Sequence, residues 1–125
     1  MGLVDEIVRE LIENENAPEL FVPFNYSSVA AETQCRPKTG AAYLFGFTAT
    51  NSNAAARFIQ VFDTDKFPAN GAVPNVSVSC PTVGDKEMMW YPPRRMDRGI
   101  VICSSTTQLT LTLGAAEFLF DVQYV

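Results

Sequence analysis

The residues that most directly suggest chemistry are a pair of aspartates, in a chain that contains no histidine. Asp63 and Asp65 follow a β-patterned run, and carboxylate oxygens at the end of a strand are ligands that suit calcium. The sequence identifies no further ligand for such a site, so a solvated turn is the favoured interpretation. Without histidine, neither a Ser-His-Asp nor a Cys-His catalytic arrangement can form.

The three cysteines, Cys35, Cys80 and Cys103, are widely spaced and form no CxxC motif. A zinc site is therefore not predicted, and the odd number argues against a disulfide framework. We interpret them as small buried residues. No glycine-rich phosphate loop is present, and isolated acids such as Glu117 and Asp121 do not identify a glycosidase pair. We predict a protein that is not an enzyme and that holds no metal or cofactor.

The chain has one basic cluster, a segment at positions 92–98 that begins with two prolines and carries three arginines. The prolines stiffen the segment, and we expect a loop. Arginines in such a loop suit ion pairs with carboxylates of a partner, and we predict these as partner-binding residues: Arg94, Arg95 and Arg98. The alternative is a solvated loop with a local pair to Asp97.

Aromatic residues beside this cluster leave its role open. Trp90, Tyr91 and Met96 favour a protein interface, where aromatic residues, methionine and arginine are enriched. The same aromatic residues suit a sugar-binding platform, and they equally suit the core of the domain.

Residues 1–18 are predicted to form an N-terminal helical arm. Apolar residues recur at helical spacing over residues 3–14, acidic residues fill the other face, and Pro18 ends the pattern. So short a helix is marginal alone in water, so its apolar stripe must pack on the domain itself or dock on a neighbouring subunit or larger assembly. Both interpretations stay open, and we include in the predicted partner-binding set Leu3, Ile7 and Leu11.

Residues 19–125 are predicted to form one β domain. Short apolar runs with period-two alternation lie near residues 43–48, 58–62, 73–79, 87–91, 100–103, 109–113 and 118–124. Weaker candidates lie at 20–22 and 29–35, and residues 36–40 have the composition of a turn. Helical patterns between the runs are absent, which disfavours a parallel α/β sheet. We predict a mainly β fold, an antiparallel β-sandwich of jelly-roll or immunoglobulin-like type, with a short N-terminal amphipathic helix.

Composition limits the class of partner. The chain has 125 residues, 47% of them hydrophobic and 18% charged, as expected for a single globular domain. The net charge of −5 disfavours nucleic acid as a partner. No apolar run approaches the roughly 20 residues of a transmembrane helix, so we predict no membrane partner. The N-terminus has acids where a signal peptide has basic residues, so we expect synthesis in the cytosol.

Five segments of strand and turn residues share a pattern with a known group of proteins: Asn51-Ser52-Asn53, Arg57-Phe58-Ile59-Gln60-Val61-Phe62-Asp63, Pro68-Ala69-Asn70-Gly71-Ala72-Val73-Pro74, Arg98-Gly99-Ile100-Val101-Ile102-Cys103-Ser104-Ser105-Thr106 and Phe120-Asp121-Val122-Gln123-Tyr124. In these segments, which extend over the last two-thirds of the chain, it resembles small virion structural proteins of tailed bacteriophages. The pattern consists of strand and turn residues and contains no active-site signature.

The resemblance implies a capsid decoration or cement protein, whose partner is the major capsid protein. It also implies a location on the capsid surface of the virion after synthesis in the host cytoplasm, and a homo-oligomer, for which we expect a trimer. The alternative is a carbohydrate- or receptor-binding module associated with the tail or a fibre.

Overall fold

The computed structural model describes residues 23–125, so the predicted helix at 3–14 and the candidate strand at 20–22 lie outside the described residues. The described part forms eight strands: β1 Phe24–Ser27, β2 Gln34–Thr39, β3 Ala42–Asn51, β4 Arg57–Phe62, β5 Val76–Cys80, β6 Gly84–Met96, β7 Gly99–Ser105 and β8 Phe118–Tyr124. Over these residues, no helix has the length and apolar character needed to cross a membrane.

The strands form two four-stranded sheets. Sheet A has the order β1-β8-β3-β6 and sheet B the order β2-β7-β4-β5, and every pairing is antiparallel. The predictions of a mainly β fold and of antiparallel pairing are confirmed. The arrangement agrees with the predicted sandwich.

The main core contains the inward-facing side chains of both sheets. Leu44, Phe47 and Phe120 contribute from sheet A, and Ile59 and Ile102 from sheet B, and all are almost completely buried. Alternation along a strand places every second residue on one face, so Phe118, Phe120 and Val122 of β8 all face this core. Burial of a side chain of this size contributes about 1.5–3 kcal/mol.

The outer face of sheet B is also buried. Phe62, Val101 and Cys103 form a second cluster there with Leu111. The segment that carries Leu111 is joined to the 69–72 turn, since the Leu111 N–H donates to the Ala72 carbonyl at 2.8 Å. The predicted run at 58–62 is apolar on both faces, and the strand that it forms is covered on both sides.

The predicted amphipathic strand at 109–113 is wrong. Leu111 is buried as expected, but Leu109 is 80% exposed, and the segment contributes no strand to either sheet. The backbone of Leu111 instead exchanges hydrogen bonds with Gly71 and Ala72 in the 69–72 turn. The carbonyls on either side of Leu109 are bound by the buried side chain of Gln60. Its Nε2 donates at 2.9, 3.0 and 3.3 Å to the carbonyl oxygens of Thr107, Gln108 and Thr110.

The turn predicted at 36–40 is also wrong in its extent, because β2 continues to Thr39. Its pairing with β7 shifts register between Cys35 and Lys38, around Pro37, which has no N–H to donate. An edge strand tolerates such a proline, since one side of its backbone needs no strand partner.

Candidate interaction surface at the edge of sheet A

The predicted basic loop is part of the longest strand. β6 covers 13 residues at the edge of sheet A and pairs with β3. The expectation that Pro92 and Pro93 close the strand is wrong, because pairing resumes at Arg94, opposite Leu44. Prolines are tolerated here because the strand is at an edge and the ladder is interrupted at that point.

Residues 90–93 form a bulge, which we call the β6 bulge. The register shifts between Leu44 and Gly46, so that four residues of β6 lie opposite Phe45 alone. Gly46 permits this close approach, because a Cβ there would lie 2.5 Å from the Met88 carbonyl oxygen. The bulge contains a cis peptide bond between Tyr91 and Pro92. Bulges redirect side chains, and this one places two neighbouring aromatic residues in different environments.

Of those two aromatic residues, only one is on the surface. Tyr91 is 88% exposed, and Met89 beside it is 68% exposed. Trp90 packs against the core, with its ring centroid 6.1 Å from that of Phe47. Trp90 is therefore a core residue, which was one of the three interpretations of these aromatic residues. Tyr91 is the residue available for a partner.

The structure separates two of the three predicted arginines. Arg95 lies opposite Tyr43, and its side chain is 74% exposed. Arg94 lies opposite Leu44, whose side chain is in the core, so Arg94 is on the face that turns towards sheet B and is half-buried. Consecutive residues of a strand point to opposite faces of the sheet. The prediction of a loop for this segment did not include such a separation of Arg94 from Arg95.

Arg98 lies just beyond β6, in the exposed crossover between the two sheets. The local pair to Asp97 is present, with Arg95 Nε 3.1 Å from Asp97 Oδ1. Because both side chains are largely exposed, this pair contributes little stability and leaves Arg95 available to another carboxylate.

Asp63 fixes the crossover by binding its backbone. Its Oδ2 accepts from the Asp97 N–H at 3.0 Å and its Oδ1 from the Arg98 N–H at 2.8 Å. Burial alone would raise the pKa of Asp63, but the N–H groups of Asp97, Arg98 and Gly99 and the charge of Arg98 outweigh it, so the pKa is lowered. Asp63 is thus a structural carboxylate. Nowhere in residues 23–125 do three His, Cys, Asp or Glu residues group in a way that could hold a metal ion.

A cleft of about 380 Å³ opens beside Arg95, and we call it the Arg95 cleft. It is lined by Ala41, Ala42, Tyr43, Arg95, Met96 and Val125. Ala42 and Met96 are almost completely buried, so much of the accessible surface of the cleft is polar. Val125 is held against Tyr43 by two backbone hydrogen bonds of 2.9 Å. The exposed guanidinium of Arg95 in this cleft suits an acidic side chain of a partner.

A row of polar residues crosses the outer face of sheet A, and it was not predicted from the sequence. The cross-strand partners in this row are Ser27, Asp121, Thr48 and Glu87, one from each strand. The polar residues that alternate with apolar ones in β8, Asp121 and Gln123, were the one indication of this row in the sequence. The partners of Asp121 on the other strands depend on strand order and register, which a single sequence does not provide.

The three cysteines are free and buried, as predicted. Burial raises the pKa of each thiol, and it raises that of Cys103 to about 12. Each thiol is therefore protonated at neutral pH and is a poor nucleophile there.

The predicted helix stripe of Leu3, Ile7 and Leu11 lies outside the described residues. Comparison with protein-family models, with curated proteins and with solved structures gives no match for this chain.

Proposed function

We propose that the protein is a non-enzymatic structural component of a phage virion, which binds the major capsid protein and stabilises the capsid lattice. The resemblance of residues 46–125 to small phage virion proteins supports the phage assignment. The exposure of both Tyr91 and Arg95 in the edge strand β6 is the observation that supports binding through this surface.

The chemistry of this surface suits a protein partner. Tyrosine and arginine are the residue types that dominate binding energy at interfaces, and methionine adapts to irregular apolar surfaces. Tyr91, Met89 and Arg95 present all three types within seven residues of β6. Arg98 extends the cationic part, and Arg94 contributes at the other face.

A second contact is proposed for the arm, through Leu3, Ile7 and Leu11. Each contact need bind only weakly, because repeated attachment across a shell multiplies the individual affinities. A homo-oligomer, with a trimer as the first expectation, would place several such contacts around a symmetry axis of the capsid. A jelly-roll or immunoglobulin-like sandwich with a helical arm is the architecture we propose for the whole chain.

The test is cryo-electron microscopy of particles that carry this protein, together with co-sedimentation with capsids. We expect density over the shell, in contact with the edge of sheet A. Tyr91→Ala should weaken capsid binding by about tenfold, whereas Leu109→Ala, which removes a similarly exposed apolar side chain from a segment outside both sheets, should not. Density confined to the tail, or equal binding by both variants, would remove the support for a decoration role.

A second candidate is a carbohydrate- or receptor-binding module on a tail or fibre. The same exposed Tyr91 favours it, because an aromatic face next to polar side chains is what a sugar ring requires. Glycan-array binding that is lost in Tyr91→Ala would support this candidate, and a capsid decoration protein would show no such binding.

A further inference from the structure

Every strand of sheet A has a connecting segment at the same end of the domain. The four segments lie side by side in the order of the strands, at residues 28–33 after β1, 114–117 before β8, 52–56 after β3 and 81–83 before β6. Their exposed apolar side chains are small: Val29, Val83 and the alanines at 30–31, 54–56 and 115–116. We call this surface the alanine end. The chain enters β1 at the opposite end, at Phe24.

Hydrogen bonds fix the segments of the alanine end relative to one another. The buried side chain of Asn51 donates to the carbonyls of Ala55 and Pro81, at 3.0 and 3.1 Å. The side chain of Asn53 donates to Glu117 Oε1 at 2.6 Å, which joins the 52–56 segment to the 114–117 segment. A surface that is already held in place loses little conformational entropy when it binds a partner.

Charged side chains contribute little to the alanine end. Of the 18 residues in its four segments, only Glu32 and Glu117 are charged. The Glu32 carboxylate accepts two hydroxyl groups of its own chain, and Glu117 forms an ion pair with Arg57 at 3.2 Å. Asp85 and Lys86, the first charged residues of β6, are opposite in sign. The surface between these groups is apolar and uncharged.

Val83 is an independent indication that the alanine end binds a partner. Its φ of 41° lies in the left-handed region, which β-branched residues rarely adopt and which glycine and asparagine tolerate. Its side chain is 70% exposed and belongs to neither core cluster, so packing within the domain does not explain a valine at this position. A strained residue that presents an apolar side chain to the outside indicates a role in binding.

We propose that the alanine end is the surface through which copies of this chain bind one another. Interfaces between identical subunits are more apolar than other interfaces, and charged residues are depleted at their core. An uncharged surface can also meet its own copy without placing like charges together. Two copies around a two-fold axis, or three around a three-fold axis, can use the same surface in this way.

The size of the alanine end predicts weak association. Its 18 residues are slightly fewer than the about 20–30 residues that each partner contributes to an interface of standard size, and alanine buries little area. We therefore expect a dissociation constant in the micromolar range. The alanine end and Arg95 lie at opposite ends of β6, so association leaves the surface proposed for capsid binding free.

Sedimentation velocity of the full chain, at concentrations from about 1 µM to 1 mM, tests the proposal. We expect the monomer at the lowest concentration and a larger species as the concentration rises. Val83→Asn removes an apolar side chain from each copy and should raise the dissociation constant by about tenfold or more. It should not lower the stability of the fold, because asparagine tolerates a positive φ. Val73→Asn is the matched control, since Val73 is 75% exposed and lies outside the four segments, and it should leave the dissociation constant unchanged.

Ala55→Glu is a second variant, which places like charges opposite each other when two alanine ends meet. It should abolish association over the same range of concentration. A protein that stays monomeric up to about 1 mM overturns the proposal. Association that is equal in the unsubstituted protein and in both alanine-end variants also overturns it, because the copies then meet elsewhere. These measurements use the free protein alone, so their failure would leave the proposed capsid binding untouched.

Discussion

Asp63→Asn is expected to destabilise the fold in a way that depends on pH. The carboxylate accepts the N–H groups of Asp97 and Arg98, and an asparagine can offer only one oxygen to this pair and turns an NH₂ towards the other. A hydrogen bond to a charged group contributes about 1.5–3 kcal/mol. Because Asp63 is partly exposed, we expect a loss near the lower end, about 2 kcal/mol at pH 7.

The sign of the pH dependence follows from the lowered pKa of Asp63. A carboxyl whose pKa is lower in the folded state than in the unfolded state stabilises the fold above its unfolded pKa. That contribution disappears as the pH falls through the folded pKa. The difference in stability between the unsubstituted protein and Asp63→Asn should therefore be largest at neutral pH and shrink in acid.

Urea unfolding followed by Trp90 fluorescence measures this difference at several pH values. Asp65→Asn is the matched control, since it changes an exposed carboxylate two residues away, and it should alter stability by less than about 0.5 kcal/mol. Equal stabilities of the two variants at pH 7, or a loss for Asp63→Asn that is constant with pH, would refute the assigned role of the carboxylate.

Three further predictions concern the rest of the fold. Gly99→Ala would place a Cβ 2.6 and 2.7 Å from two backbone carbonyl oxygens, so we expect a loss of about 2–4 kcal/mol in urea unfolding; a stable variant would contradict this packing. Gln60→Leu removes one of two donors to the carbonyls of Thr107, Gln108 and Thr110, each of which keeps a hydroxyl donor, so faster hydrogen exchange across residues 106–113 should accompany a loss of about 1 kcal/mol. Thiol labelling should find no fast-reacting cysteine in the folded protein and three in denaturant, and a fast-reacting thiol in the folded state would contradict their burial.

The sequence was most informative where one strand determines its own faces. The alternating run at 118–124 forms β8, with Phe120 and Val122 on its core face, and the run at 58–62, which is apolar on both faces, forms a strand covered on two sides. These inferences need only the period of a strand. They do not depend on which strand is the neighbour.

The errors concern features that depend on neighbours. Pro92 and Pro93 predicted the end of a strand, but β6 continues beyond them. Its position at the edge of sheet A explains why the pairing can resume after two prolines. The pattern at 109–113 is that of a strand, but the backbone of Leu111 bonds to the turn at Gly71 and Ala72, about 40 residues earlier in the chain, and not to a strand of either sheet. The sequence predicted one cluster containing Arg94 and Arg95, whereas the register of β6 against β3 places the two side chains on opposite faces of the sheet.

The edges of the two sheets bear on how the protein behaves when many copies are crowded together. β1 and β5 are short, β2 is interrupted at Pro37, and β6 combines charged residues with a proline bulge. Each of these features hinders the addition of a foreign strand, which is the usual first step of ribbon-like aggregation. Copies held side by side at high density can therefore touch through their side chains and still remain separate molecules.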